Sequence, residues 1–345
     1  MTMRTLKIIR PDDWHLHLRD GDILSAVLPD TARQFARAIV MPNLKPPVTT
    51  VAQAAAYRER ILAALPAGLD FTPLMTLYLT DNTSPDEIER AANSEFVHAV
   101  KYYPAGATTN SDNGVTVFRH VHAVLEAMQK HDIPLLLHGE VTDAEIDVFD
   151  REAVFIERHL QRLAAEFPAL RMVLEHITTA DAVQFVEAAG DNIAATITAH
   201  HLLLNRNAMF TGGLRPHHYC LPLIKREQHR QALVAAAISG NPKYFLGTDS
   251  APHARGDKES DCGCAGVYSA YAAIEVYAEV FAAHDALQRL EGFASCHGPV
   301  FYRLPRNTAS ITLRRETWEM PAALDAAATE IVPLRAGELM QWRLL

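Results

Sequence analysis

The sequence predicts an α/β fold, a single (β/α)8 barrel of the TIM type with a short C-terminal appendage. Three observations predict it: eight short apolar runs rich in β-formers, helical segments between them, and no G-x-G-x-x-G after the first run. The runs are TLKIIR (5–10), RAIVMPN (37–43), FTPLMTLYL (71–79), HAVKYY (98–103), IPLLLHGE (133–140), RMVLEHI (171–177), IAATITAHH (193–201) and KYFLGTD (243–249). Each is continuously hydrophobic, as strands buried on both faces of a parallel sheet require.

The intervening segments carry helix signals. Residues 51–65 are Ala-rich and amphipathic, and Ser84-Pro85-Asp86-Glu87 is a capping box with Pro at the first helical position. A segment opened by Thr179 stops at Gly190, and the segment 226–239 stops at Gly240; both glycines suit a helix C-terminus. Eight alternations within about 250 residues favour one barrel over two domains. A doubly wound open sheet is the rival, and the missing glycine fingerprint counts against it. After about residue 290 the alternation stops. One domain over 1–345 is therefore expected, with a barrel core at 5–290 and an extension at 291–345.

Composition narrows the function. Apolar content of 49% with 21% charge describes an ordinary globular protein. A net charge of −9 argues against a nucleic-acid surface, which needs clustered Lys and Arg. It leaves a small anionic substrate open, because local cations and metals decide that field. No run reaches the ~18 apolar residues of a membrane span, and no apolar h-region follows the N-terminus. Four cysteines (Cys220, Cys262, Cys264, Cys296) are too few for a disulfide framework. A cytoplasmic location is expected.

In such a barrel, catalytic groups come from the C-terminal ends of the strands. Strand one ends in His15 and His17, whose i, i+2 spacing puts both imidazoles on one face. Strand four carries Lys101, strand five ends at His138, strand six at His176 and strand eight at Asp249. Four His and one Asp suit zinc. Taken singly, each has a plainer reading as a hydrogen-bonded strand end, a helix cap or a salt-bridged lysine, and His120/His122 shows that such a pair also falls in helix. Their shared position at one end of the barrel favours a metal site. Lys101 is the odd member, since an ammonium offers no lone pair.

The set His15-Leu16-His17, Lys101, His138, His176 and Asp249 resembles the amidohydrolase superfamily. The words WHLHLRDG (14–21), MPN (41–43), KYYPAGATTNS (101–111), HGE (138–140), EHITT (175–179), RPHHYCLP (215–222) and GTDSAPH (247–253) are similar to the dihydroorotase class typified by enteric bacteria, over essentially the whole chain. The resemblance implies reversible closure of N-carbamoyl-L-aspartate to L-dihydroorotate plus water, a step of pyrimidine synthesis. It implies two Zn2+ per subunit: one held by His15, His17, Asp249 and Lys101 carbamylated to N6-carboxylysine, the other by carbamylated Lys101, His138 and His176, with a bridging hydroxide. Asp249 would be the general acid/base. Arg19, two residues past His17, suits a substrate carboxylate; by resemblance Asn43 and His253 join it, and backbone groups of Leu221 and Ala265 meet the ring amide. The small, polar segment 105–114 would be a lid carrying Thr108 and Thr109, and a homodimer is plausible.

Two rivals remain at this point. Another cyclic amidohydrolase such as a hydantoinase would share the metal ligands but need no groups for a substrate carboxylate. A non-catalytic scaffold would be expected to have lost ligands. Cys262-Gly-Cys264 lacks a matching second pair for a zinc site, and His200-His201 and His217-His218 are read as rim or packing residues.

Overall fold

The computed structural model describes residues 4–261 and 263–345. Thirteen strands are labelled in chain order: β1 (Thr5–Ile9), β2 (Asp12–Leu16), β3 (Arg37–Val40), β4 (Thr72–Tyr78), β5 (Val97–Tyr102), β6 (Leu135–Leu137), β7 (Met172–Leu174), β8 (Ile193–Ile197), β9 (Tyr244–Leu246), β10 (Ser310–Glu319), β11 (Leu324–Ala326), β12 (Thr329–Ile331) and β13 (Leu339–Leu344). Strands β2 to β9 form one parallel eight-stranded sheet in sequence order. Just beyond β9 the ends meet: Leu16 bridges Ser250, and the Asp249 amide donates to the His15 carbonyl at 2.9 Å. The sheet is thereby closed into the expected barrel.

The helices follow their signals. Thr50 and Gln53 make a reciprocal capping box for Val51–Ala64. Ser84 caps Pro85–Ala92, and Thr179 caps Ala180–Ala188. The helix Glu227–Ile238 ends before Gly240, whose φ of 80° suits a residue without Cβ. Among the described residues, no helix is long and apolar enough to cross a membrane.

One expectation fails at the start of the chain. The run 5–10 is not a barrel strand: β1 pairs antiparallel with β10, and β10 with β13, in a separate three-stranded sheet. The first barrel strand is β2, DDWHL, whose two acids hide it from an apolar scan. Both acids are compensated. Asp12 pairs with Arg37 at 2.6 Å, and Asp13 accepts from the Thr248 amide at 2.8 Å and its hydroxyl at 2.6 Å.

A layer of inward side chains plugs the lower barrel: Trp14, Ile39, Leu74, Ala99, Leu136, Val173, Ala194 and Phe245, one from each strand. Tyr302, from the helix His297–Tyr302, stacks on Trp14 with ring centroids 4.4 Å apart and closes that end. The open end is opposite, where the strands finish.

Candidate metal centre and active site

Side chains alternate along a strand, so residues two beyond the plug form the next layer up. From Ala99, Leu136 and Val173 this rule gives Lys101, His138 and Glu175, all buried. From Phe245 it gives Gly247, where a Cβ would meet Thr196 Cβ at 2.7 Å and His15 Cβ at 3.2 Å. Glycine there leaves room for His15. Arg19, His176 and Asp249 lie past their strand ends with φ of 58°, 42° and 44°. Left-handed backbone is costly for such residues and persists only where neighbours enforce it. Here the Thr196 hydroxyl accepts from the His176 amide at 2.7 Å, and the His15 carbonyl holds the Asp249 amide.

Three donor atoms converge. His15 Nε2 and His17 Nε2 are 3.3 Å apart, and Asp249 Oδ1 lies 3.2 and 3.1 Å from them. Metal–ligand bonds of 2.0–2.1 Å in a tetrahedron give edges of about 3.3 Å, so the triangle fits one face of a zinc site. The far nitrogens fix the tautomers. His17 Nδ1 donates to Asn43 Oδ1 at 2.9 Å, and His15 Nδ1 lies 3.1 Å from Glu175 Oε1, in ion-pair range without hydrogen-bond alignment. His17 Nε2 is thus left for a cation, and an ion bound here would displace the proton from His15 Nε2.

The electrostatics agree. Burial works to raise the Asp249 carboxyl, but His15, His17 and His176 hold it well below the usual carboxylate range. Burial pushes His17 down to about 4. Burial also depresses His15, yet Glu175 and Asp249 outweigh it and lift the imidazole to about 9. The field that keeps a proton on His15 also attracts a divalent cation.

The remaining predicted ligands border this set. Lys101, fully buried, pairs its ammonium with Glu175 Oε2, and burial lowers its proton affinity even against that carboxylate. His138 donates from Nε2 to Glu140 Oε2 at 2.8 Å and packs edge-on against His176, ring centroids 4.9 Å apart. His176 Nδ1 is buried with no hydrogen-bond partner among the described residues.

On the other side stand the groups assigned to substrate. Arg19 makes no ion pair among the described residues; Nη2 reaches His253 Nε2 at 3.0 Å and Nε donates to the Pro252 carbonyl at 3.2 Å. Leu221 and Ala265 line the same cavity. Thr108 and Thr109 cover it. Thr109 Oγ1 donates to the Ala265 carbonyl at 3.3 Å, and Asn43 Nδ2 donates to the Thr109 carbonyl at 3.1 Å. Under this closed loop the cavity measures about 20 Å3, room for about one water.

Sequence reading missed the carboxylates behind the ligands. Glu175 serves His15 and Lys101, Glu140 serves His138, and Asp13 holds the turn before Asp249 through Thr248. Glu152 receives the amides and hydroxyls of Thr178 and Thr179 at 2.5–3.1 Å, anchoring the chain after His176. Asp13, Glu140 and Glu175 stand within or beside the motif words, whereas no sequence signal pointed to Glu152. Cys262 lies outside the described residues. His217 is half-buried beside Glu259, at 2.8 Å, whereas His200 and His201 are fully buried.

The Amidohydrolase family profile matches residues 7–312. A curated dihydroorotase of Methylobacillus flagellatus is 68% identical over 340 residues, 99% of each chain. Among solved structures, a dihydroorotase of Saccharomyces cerevisiae in complex with 5-fluoroorotic acid superposes with a TM-score of 0.92 at 34% identity, covering 99% of both chains. A dihydroorotase of Campylobacter jejuni gives 0.91 at 36% identity, covering 100% of this chain and 98% of the other. The three dihydroorotase matches span the barrel and the added C-terminal sheet alike, whereas the family profile ends at the start of β10. The chain belongs to the amidohydrolase family and, within it, to the dihydroorotases.

Proposed function

We propose that this chain is a zinc-dependent dihydroorotase that interconverts N-carbamoyl-L-aspartate and L-dihydroorotate plus water in pyrimidine synthesis. One observation carries the reading: a cation-seeking donor set faces, across one small cavity, a guanidinium that makes no ion pair among the described residues. The first suits amide chemistry and the second suits a ring that keeps a free carboxylate.

His15, His17, Asp249 and carboxylated Lys101 would hold one ion, and Lys101, His138 and His176 the other. When bound, such a pair supplies an ionised water near neutral pH and polarises the attacked carbonyl. Carboxylation forms an N–C bond between the neutral Lys101 amine and carbon dioxide and releases a proton; burial of Lys101 favours that neutral amine.

The protein groups do the rest. In the ring-opening direction Asp249 accepts the proton of the attacking water and returns it to the amide nitrogen as the C–N bond breaks. In the closing direction it takes a proton from the ureido nitrogen and passes it to the departing oxygen. Arg19 holds the ring carboxylate, with His253 beside it. Asn43 Nδ2 becomes available to that carboxylate when the Thr109 carbonyl moves away. Leu221 and Ala265 offer backbone groups to the ring amide, and closure of the Thr108–Thr109 loop excludes water.

The test compares dihydroorotate with dihydrouracil, the same ring without the carboxylate, following hydrolysis by loss of ultraviolet absorbance. A charge-assisted contact is worth about 1.5–3 kcal/mol, so dihydroorotate should be preferred by roughly 10- to 150-fold on that contact alone. Arg19→Met should remove most of the preference. Equal use of both rings by the native enzyme would move the substrate to a cyclic amide of the hydantoin type.

A further inference from the structure

A second buried cluster of ligand-type side chains lies at the exit of β8. Thr198 Oγ1 accepts from the His201 amide at 3.0 Å and starts a short helical turn, Ala199–Leu203, that carries His200 and His201. Both histidines are buried, and Cys220 is buried against them from the loop that leads to Leu221. One ligand atom from each of the three lies within 4.8 Å of the others.

The polar contacts are few. His201 Nδ1 is 2.8 Å from Thr198 Oγ1, which fixes the ring. His201 Nε2 faces Cys220 Sγ at 3.8 Å and the Pro222 carbonyl oxygen at 3.1 Å, and Cys220 Sγ donates to that same oxygen at 3.3 Å. His200 lies beside His201, ring centroids 4.5 Å apart, at 0% exposure. Neither of its ring nitrogens has a hydrogen-bond partner among the described residues. A wholly buried imidazole with both nitrogens unpartnered is expensive, and native interiors avoid it unless another ligand completes the site.

We propose that His200, His201 and Cys220, with the Pro222 carbonyl as the nearby fourth donor, form a separate binding site for one divalent cation of the zinc type. Zn–S of ~2.3 Å and Zn–N of 2.0–2.1 Å set a sulfur–nitrogen edge of about 3.6 Å, close to the 3.8 Å observed. Thiolate and imidazole donors exclude magnesium and calcium, which demand oxygen. Binding breaks the Cys220 S–H bond and forms an Sγ–metal bond, with the proton released to solvent and no change of oxidation state. The donors are distinct from His15, His17 and Asp249, so the site stands whether or not the reaction assigned above is right. Its ion would tie the end of β8 to the 219–222 loop, whose Leu221 lines the catalytic cavity.

The experiment strips the purified full-length protein of metal and titrates it with cobalt(II) alone. The catalytic donors contain no sulfur, so a near-ultraviolet sulfur-to-cobalt charge-transfer band reports a thiolate site only. The band should appear in the native protein and in a variant carrying Cys262→Ser and Cys264→Ser. It should vanish in Cys220→Ser, and His200→Gln, which keeps a polar side chain at that position, should weaken cobalt binding tenfold or more. No band in the native protein, or a band that survives Cys220→Ser, overturns the site. If Cys220→Ser does not fold, His200→Gln decides alone: an unchanged affinity overturns it.

Discussion

His15 and His17 become a pair of candidate ligands through what their far nitrogens touch. Glu175 and Asn43 occupy the two Nδ1 atoms and leave both Nε2 atoms 3.3 Å apart beside Asp249. The i, i+2 spacing made the histidines legible in the sequence, because a strand puts such residues on one face. Glu175 was not legible. In a regular strand it would face away from His176, and only the left-handed turn at His176 brings both into one cluster with His15. Glu175→Gln keeps the volume and removes the charge that His15 and Lys101 share. Metal affinity should fall about 10- to 100-fold, read by competition with a chelator. An unchanged affinity would mean that Glu175 does not orient the site.

At the level of elements, continuous apolar runs found seven of the eight barrel strands, because both faces of a parallel sheet are covered. The first was misplaced for a physical reason. The run 5–10 has the alternating burial of a small antiparallel sheet, whereas β2 carries Asp12 and Asp13 at full burial. Those charges are tolerated only through Arg37 and Thr248, partners distant in sequence. The loop 105–114 was readable from its small polar residues, but its closed seat on Asn43 and Ala265 was not. Thr109→Ala removes one hydrogen bond, worth about 0.5–1.5 kcal/mol, so turnover should drop roughly 2- to 12-fold. Metal content should stay the same. Loss of metal in that variant would make Thr109 part of the ligand framework rather than the cover.

For the whole molecule, the closed barrel is what brings distant residues into one site. His15 and Asp249 are 234 positions apart in sequence, yet the β2–β9 seam sets them side by side. The plug of Trp14, Phe245 and Tyr302 fills the opposite end, and Thr108 and Thr109 line the cavity at the end where the donors gather. Chain termini join as well: β1 and the C-terminal strands form one sheet, so the terminal segment is structurally tied to the start of the barrel. Hydrolysis of dihydroorotate by metal held on the strand-end donors is the activity proposed for this barrel. The direct measurement is dihydroorotate hydrolysis on protein whose metal content is determined alongside, before chelation, after it, and after zinc is returned. Activity with at least about two zinc ions per chain, lost on chelation and restored by zinc, is the predicted result. Full metal content without turnover of dihydroorotate, or turnover that survives complete metal removal, would contradict the account.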